Sequence, residues 1–389
     1  MKIKLLLTLL CGAGSVFAAE TEARLWRDPL PVPGTAEITV LGDLRFNVIK
    51  PYEFQRDGYR FLHGVALCFH KGRLYASFGH NQGGENTDTE EARFCVSDDD
   101  GRTWGAVRTI DAGEGPVGVS HGAFLSHKGR LWAFQGAYTG IMQGVHTRAY
   151  LLDEQSQQWL PKGTVIEAGF WPMQEPQKMD DGNWIMAGLQ VGGQNPAAVA
   201  ISRGEDFTRW DVVSIPPGPS VKKMWGESAI LVQGCEVTSI SRYGERAQAL
   251  VARSLDYGRT WEPMQPSNLP MTTSKPSAGI LSNGQRYLVC TTTADSGQRR
   301  APLTLAVSRP GEKEFSKVFV IRHAVMEGTE VESHPKAALS YPYAVERGGS
   351  LYVGYSNTGG NVGRVGTGRE LWNNNSAELA VIPIRSLFP

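Results

Sequence analysis

The sequence predicts an all-β protein, a six-bladed β-propeller. Three observations carry the prediction. The turn motif S-x-D-x-G-x-T-W occurs twice, as Ser97–Trp104 and Ser254–Trp261. An aromatic residue recurs at Trp104, Trp159, Trp210, Trp261 and Phe315, at intervals of 55, 51, 51 and 54 residues. Every interval contains short apolar runs separated by turn residues in one order, which is how a repeated four-stranded blade reads. Forty-five Gly, 22 Pro and 10 Trp in 389 residues suit such a turn-rich, aromatic-rich chain.

In the motif, Asp99 and Asp256 are placed to accept backbone N–H groups, and Gly101 and Gly258 to take positive φ. Ser202–Arg209 before Trp210 is a decayed copy. First strands are read at Val65–Phe69, Ala123–Leu125, Gln177–Met179, Ser228–Val232, Ala278–Leu281 and Ala344–Val345. Second strands follow at Leu74–Phe78, Leu131–Phe134, Trp184–Leu189, Val237–Ile240, Tyr287–Thr291 and Leu351–Gly354. The turns between them centre on pairs such as Lys71-Gly72, Lys128-Gly129 and Asp181-Gly182. The third strand of the last blade is read at Ala377–Ile382, and Ala36–Leu41 is expected to supply its missing outer strand. Residues 43–60 are then left over and leave room for an incomplete seventh blade.

Met1–Ala19 reads as a cleaved signal peptide: Lys2 and Lys4, the apolar run Leu5–Leu10, then Val16-Phe17-Ala18. A periplasmic or secreted protein is expected, with residues 20–389 forming one propeller domain. Zero formal net charge gives no reason to expect nucleic acid or membrane as partner. Cys68, Cys95, Cys235 and Cys290 lack the spacing of a metal site, so no metal or cofactor is expected. Free thiols are the simpler reading in a compartment that permits disulfides.

Strands one and two of a blade are antiparallel. The start of the first and the end of the second therefore meet at one mouth of the channel. The starts carry His63-Gly64, His121-Gly122, Glu175-Pro176, Trp225-Gly226-Glu227, Lys275-Pro276 and Tyr341-Pro342. The ends carry His80-Asn81, Gln135, Gln190, Arg242, Asp295 with Arg299 and Arg300, and Asn357. Convergent polar and titratable groups mark that mouth as the candidate site. Trp171 and Trp225 offer faces on which a sugar ring would stack. The loop Gly83–Glu91 leaves the same mouth, and its Glu85 and Asp88 are candidate proton donors. His70, His127 and His323 fall at turns and are read as surface residues.

With its two S-x-D-x-G-x-T-W turns and its blade period, the chain resembles the sialidase superfamily, whose Asp-box repeats have this form. The resemblance implies a Tyr nucleophile at the start of the last inner strand, where Tyr341 stands. It implies a Glu that activates the Tyr, for which Glu175-Pro176 with Asp181-Gly182 is the match. It implies an acid from the loop of Glu85 and Asp88. Three arginines are also implied, to hold a substrate carboxylate. In their places stand His63, Gln190, and Lys275 or Arg299, so the arginine set is incomplete. Similar propellers in glycan degradation include uronate lyases and rhamnosidases acting beside a glucuronate, and His63, His121, Tyr341 and Lys275 suit either.

Three functions follow as expectations. The first is an exo-acting glycoside hydrolase on a glycan carrying an acidic or deoxy sugar, worked by Glu175, Tyr341 and an acid from the Glu85–Asp88 loop. The second is a polysaccharide lyase, with His121 or His63 as base, Tyr341 as acid, and Lys275 or Arg299 against the uronate. The third is a carbohydrate-binding propeller without catalysis. An oligo- or polysaccharide is the expected partner in each, and a monomer the expected state.

Overall fold

Period-two alternation decides how the blades pack. Along Leu74–Phe78 of the first blade, Leu74, Ala76 and Phe78 face one neighbouring blade and Tyr75 faces the other. Both faces of the sheet are buried, so both sets are apolar, and the strand reads as a continuous hydrophobic run. The computed structural model describes residues 23–325, 336–358 and 375–387. The expected signal peptide lies outside the described residues.

Six sheets form the propeller. Numbered from the first complete one, blade I holds Phe61–His70, Arg73–Asn81, Glu90–Ser97 and Arg108–Asp111. Blade II runs from Val117 to Ile166, blade III from Phe170 to Ile215, blade IV from Met224 to Pro270 and blade V from Ser277 to Arg322. Blade VI holds Leu339–Arg347, Ser350–Asn357 and Ser376–Pro383. One apolar cluster fills each seam between neighbours: I–II, II–III, III–IV, IV–V, V–VI and VI–I. The VI–I seam closes the ring at six blades.

The closing strand differs from expectation. Arg45–Lys50, not Ala36–Leu41, pairs antiparallel with Ser376–Pro383 and completes blade VI. It belongs to the stretch expected to be left over, so no seventh blade remains to be built from it. Thr39–Val40 instead lies parallel to Phe319 and Val320, as a fifth strand on the outer edge of blade V.

The twin turns close as expected. Asp99 Oδ1 accepts the N–H groups of Arg102 and Thr103 at 3.0 and 2.8 Å, and Asp256 Oδ1 those of Arg259 and Thr260 at 3.1 and 2.8 Å. Gly101 and Gly258 have φ of 78° and 79°. Hydrogen bonds to Thr260 lead the causes that hold the Asp256 carboxyl down at about 2.

On this far rim every seam carries a polar latch. Glu154 takes His70 at 2.7 Å and Lys71 at 3.1 Å, and Glu205 takes His127 at 3.1 Å and Lys128 at 2.6 Å. Arg259 meets Asp181, Lys313 meets Glu236, the Ser282 N–H donates to Glu346, and Arg45 donates to the Asp100 carbonyl. His70, expected on the surface, is buried within its latch.

Nearer the axis one side chain ties three blades. Gln174 is buried, accepts the Ile230 N–H at 2.6 Å, and donates to the carbonyls of Ile230 at 3.2 Å and Ala278 at 2.7 Å. Gln174→Leu is expected to strand the Ile230 N–H and the Ala278 carbonyl, while Gln177 still donates to the Ile230 carbonyl at 3.2 Å, and to cost about 1–3 kcal/mol. Chemical denaturation monitored by tryptophan fluorescence measures it. An unchanged midpoint would mean that water replaces the amide.

Candidate active site

The inner strands do not start regularly. In blade I, His63 and Ala66 face Gly79 and Ser77, so three steps on one strand match two on its partner. The same single-residue excess lies between Val119 and Gly122 in blade II and between Ser340 and Tyr343 in blade VI. Blade IV has two extra residues between Met224 and Ser228. These bulges hold His63, His121, Trp225, Glu227 and Tyr341. A bulge breaks the ladder and re-aims a side chain, here into the mouth of the channel. Tyr341 has φ of 54°. The left-handed region costs a residue with a Cβ about 1–2 kcal/mol, so the surrounding contacts hold Tyr341 there against a backbone preference.

The bulges open onto a cavity of about 860 Å³. One side is polar, with His63, Glu85, Glu227, Arg242, Arg299, Arg300 and Tyr341. The other is largely apolar, with Ile141, Met142, Trp171, Met173, Leu189 and Trp225.

Tyr341 donates its hydroxyl to Glu227 Oε1 in a short hydrogen bond. Arg242 Nη1 lies 2.7 Å from Glu227 Oε2 and 3.5 Å from the Tyr341 hydroxyl. The Trp225 indole N–H donates to Glu227 at 3.3 Å. The Arg300 guanidinium sits 5.9 Å from the Tyr341 ring centre. Burial, then the Glu227 charge, holds the Tyr341 phenol well above its ordinary range, so it stays protonated. Burial works against the Arg242 charge, but Glu227 and Tyr341 outweigh it and keep the guanidinium charged.

His63 packs on Tyr341 with ring centres 3.7 Å apart, and His121 stands 5.5 Å from Tyr341. Both imidazoles are buried. Burial and, next, His121 push His63 well below its ordinary value; burial and Lys275 bring His121 down to about 3. Both are neutral at physiological pH. Trp171 donates its N–H to the His121 carbonyl at 2.9 Å. Glu85 overhangs the mouth, 3.9 Å from His63 Nε2, with about half its side chain open to solvent. Desolvation by the cavity wall, followed by the Glu90 charge, raises its carboxyl, while Arg300 and Arg242 oppose the rise.

Of the sequence candidates, His63, Glu85, His121, Trp171, Trp225, Glu227, Arg242, Arg299, Arg300 and Tyr341 line this cavity. The others lie elsewhere. Glu175 makes no contact with Tyr341; Glu227 takes that place. Glu175 is in the channel, where its charge acts on Cys68, Lys275, Tyr287 and Tyr343, and burial raises its carboxyl to about 7. Lys275 is buried below the floor, donates to the Pro342 carbonyl at 2.7 Å and lies 3.6 Å from the Tyr343 ring centre. It braces the Tyr341 bulge from behind. Asp88 is exposed outside the cavity.

His80 stacks on Tyr59 with ring centres 4.0 Å apart. Asn81 knots the loop, accepting from the Gly83 N–H, Thr87 and Thr89. Gln135 is fully buried, Gln190 bonds Ser214 and the Ala168 carbonyl, and Asn357 donates to Glu378 at 3.0 Å. Unlike Arg242, these five second-strand residues spend their side chains on those partners or in burial; the bulges that turn side chains into the cavity lie on the first strands. Arg299 spends its Nη2 on the Asp295 carbonyl at 3.0 Å. Glu90 was not singled out. It is buried beside the cavity and accepts from Tyr138 at 2.8 Å and from Ser120. Its place within the Gly83–Glu91 loop that carries Glu85 is the available signal. His323 lines the cavity instead of the outer surface. Cys68, Cys95, Cys235 and Cys290 are free thiols.

Gly64 shows how tightly the floor is built. A Cβ there would stand 2.2 Å from His121 Cγ, and its φ is 65°. Gly64→Ala is expected to displace His121, cost about 1–2 kcal/mol, and lower kcat/KM in whatever reaction the site performs. Thermal unfolding and steady-state kinetics measure both. Unchanged values would show that the floor gives way freely.

A family model described as a BNR repeat-like domain matches residues 72–353. The chain belongs to that family. Curated proteins yield no match. Among solved structures, this BNR repeat-like propeller is similar to a Hadza microbial sialidase, with 13% identity and TM-score 0.66 over 88% of this chain and 69% of the other. It is similar to a protein of unknown function from Dyadobacter fermentans, with 14% identity and TM-score 0.65 over 89% and 100%. The Trypanosoma rangeli sialidase gives 12% identity and TM-score 0.63 over 90% of this chain and 60% of its own. At such identities the likeness concerns the fold: the BNR repeat-like chain has a six-bladed propeller fold of the type seen in these sialidases.

Proposed function

We propose that the protein is a secreted, exo-acting glycoside hydrolase of sialidase-like type that releases an acidic sugar from the end of an oligo- or polysaccharide. The contact of Tyr341 with Glu227, braced by Arg242 on the cavity floor, carries this reading. A protonated phenol is a weak nucleophile, and an adjacent carboxylate activates it without forming free phenolate. Tyr341 Oη attacks the anomeric carbon as its proton passes to Glu227. The bond to the leaving oxygen breaks, and that oxygen takes the Glu85 proton. Water then attacks the glycosyl–Tyr341 intermediate and gives a proton to Glu85, and the Tyr341 oxygen recovers its own from Glu227. Arg242 and Arg300 hold the sugar carboxylate, and the apolar wall with Trp171 and Trp225 holds the ring face. The protein acts as a monomer outside the cytoplasm.

The lyase reading keeps only Arg299 of its two candidates against the uronate, since Lys275 lies under the floor and not in the cavity. The test is incubation with 4-methylumbelliferyl glycosides of sialic acids, other 3-deoxy-ulosonic acids and uronic acids, and with uronate polysaccharides. Release of the fluorophore or of new reducing ends is expected. Unsaturated uronate absorbance would make the protein a lyase, and binding without turnover would make it a carbohydrate-binding propeller.

A further inference from the structure

The polar side of the cavity contains one group whose hydrogen-bonding sense is fixed from behind. His63 Nδ1 lies 3.3 Å from Ser356 Oγ. Ser356 Oγ donates its single hydrogen to the Ser340 carbonyl at 2.9 Å. Its oxygen can then only accept, so the hydrogen between the two residues sits on His63 Nδ1. A neutral imidazole protonated at Nδ1 carries a lone pair at Nε2. His63 is 5% exposed, and among the described residues its Nε2 has no hydrogen-bond partner. Glu85 Oε1, at 3.9 Å, is beyond hydrogen-bond reach. A buried acceptor left without a donor costs about 1–3 kcal/mol, and a ligand that supplies the donor recovers it.

We propose that His63 is a specificity-determining residue whose Nε2 accepts a hydrogen bond from a ring hydroxyl of the sugar, so that the substrate is a hydroxylated sugar acid whose carboxylate lies on Arg242 and Arg300. The inference rests on the hydrolase reading for the placement of the carboxylate. The chemistry at His63 is opposite to that of a carboxylate-binding arginine. A lone pair repels a carboxylate oxygen and attracts an O–H. His63 cannot switch to a donor by gaining a proton at ordinary pH, because burial and the neighbouring His121, Arg300, Arg242 and Lys275 all oppose its charge, and Glu85 is the carboxylate that faces it. The ring is also packed between Tyr341 and the Ser356 relay.

Two measurements test this. The first needs no turnover. Nitrogen-15 NMR of the full protein labelled at histidine, assigned with His63→Gln, is expected to show His63 protonated at Nδ1 only between pH 6 and 8. Titration with N-acetylneuraminate and with D-glucuronate is expected to shift the Nε2 resonance upfield, as hydrogen bonding to a lone pair does. A proton on Nε2, or an Nε2 shift unmoved by a sugar that binds, overturns the inference whether or not the protein is a hydrolase.

The second compares the best glycoside from the activity panel with its monodeoxy analogues. One analogue is expected to lose at least about 10-fold in kcat/KM with wild-type enzyme, a difference of about 1.4 kcal/mol. That difference is expected to vanish in His63→Phe and to persist in part in His63→Gln. Activity on the parent sugar with no discriminating hydroxyl, or discrimination that survives His63→Phe, would sink the role of His63 and leave the hydrolase reading intact. Binding that shifts Nε2 without turnover of any glycoside would do the reverse.

Discussion

Tyr341→Phe is expected to lower kcat by at least about 10³-fold with the protein still folded. The substitution removes one oxygen. The Phe ring still fills the space against His63, and Glu227 keeps its ion pair with Arg242, so no buried charge is left alone. Unfolding temperature should therefore hold while turnover collapses. Glu227→Gln is expected to cost about 10²–10⁴-fold, because the amide cannot take the Tyr341 proton. A 2-fluoro glycosyl fluoride of the substrate sugar should accumulate as a covalent adduct on the peptide containing Tyr341. An adduct on another residue, or substantial turnover by Tyr341→Phe, would remove Tyr341 from the chemistry.

The same site sets a pH dependence. Tyr341 is held protonated, so its ionisation gives no rise in rate toward alkaline pH. In the proposed hydrolysis the acid that serves the leaving group is Glu85, whose carboxyl is raised above its ordinary value. Its protonated form is lost as pH climbs through that raised value, so kcat/KM should fall on the alkaline side. Glu85→Gln should remove this limb, abolish cleavage of natural linkages, and spare aryl glycosides whose leaving group needs little protonation.

These assignments show what the residues alone could and could not reveal. The blades were legible because two Asp-box turns and the recurring aromatic at the outer strand are local signals. The mouth was legible too: Trp225-Gly226-Glu227, Arg242 and Tyr341 all emerged from the rule that the first strand starts where the second ends. The partnership of Glu227 with Tyr341 was not, because it depends on bulges. Two extra residues in blade IV and one in blade VI turn side chains toward the axis that a regular count would send elsewhere. The local pattern Glu175-Pro176 looked more like the activating carboxylate, and that choice also hid Arg242 as its neighbour. The closing strand was misread for a related reason. Ala36–Leu41 and Arg45–Lys50 are both short and of mixed polarity, and which edge receives which is a matter of three-dimensional path.

The seam between blades V and VI carries the largest expected effect on stability. Arg322 and Glu378 are both fully buried, and Arg322 Nε lies 2.9 Å from Glu378 Oε2. Ser376 and Asn357 also donate to Glu378, at 3.2 and 3.0 Å, and Arg322 donates to the His323 carbonyl at 2.8 Å. Arg322 stands on the outer strand of blade V and Glu378 on the third strand of blade VI, so the pair joins the blade completed by the chain's early residues to its neighbour. Glu378→Ala removes a buried carboxylate from beside Arg322 and takes the acceptor from Ser376 and Asn357, and is expected to cost about 3–5 kcal/mol, a large share of the 5–15 kcal/mol that ordinary domains possess. Arg322→Met alone should cost a similar amount, through the stranded carboxylate. The double variant Arg322→Met/Glu378→Leu should recover most of the loss, since an apolar pair of matching volume avoids the desolvation that the ions suffer. Urea denaturation of the wild type, Arg322→Met, Glu378→Leu and the double variant gives the coupling energy directly. Additive losses would mean that the pair is not one unit, and a stable Glu378→Ala would mean that water or a neighbouring group reaches Arg322 once the carboxylate is gone.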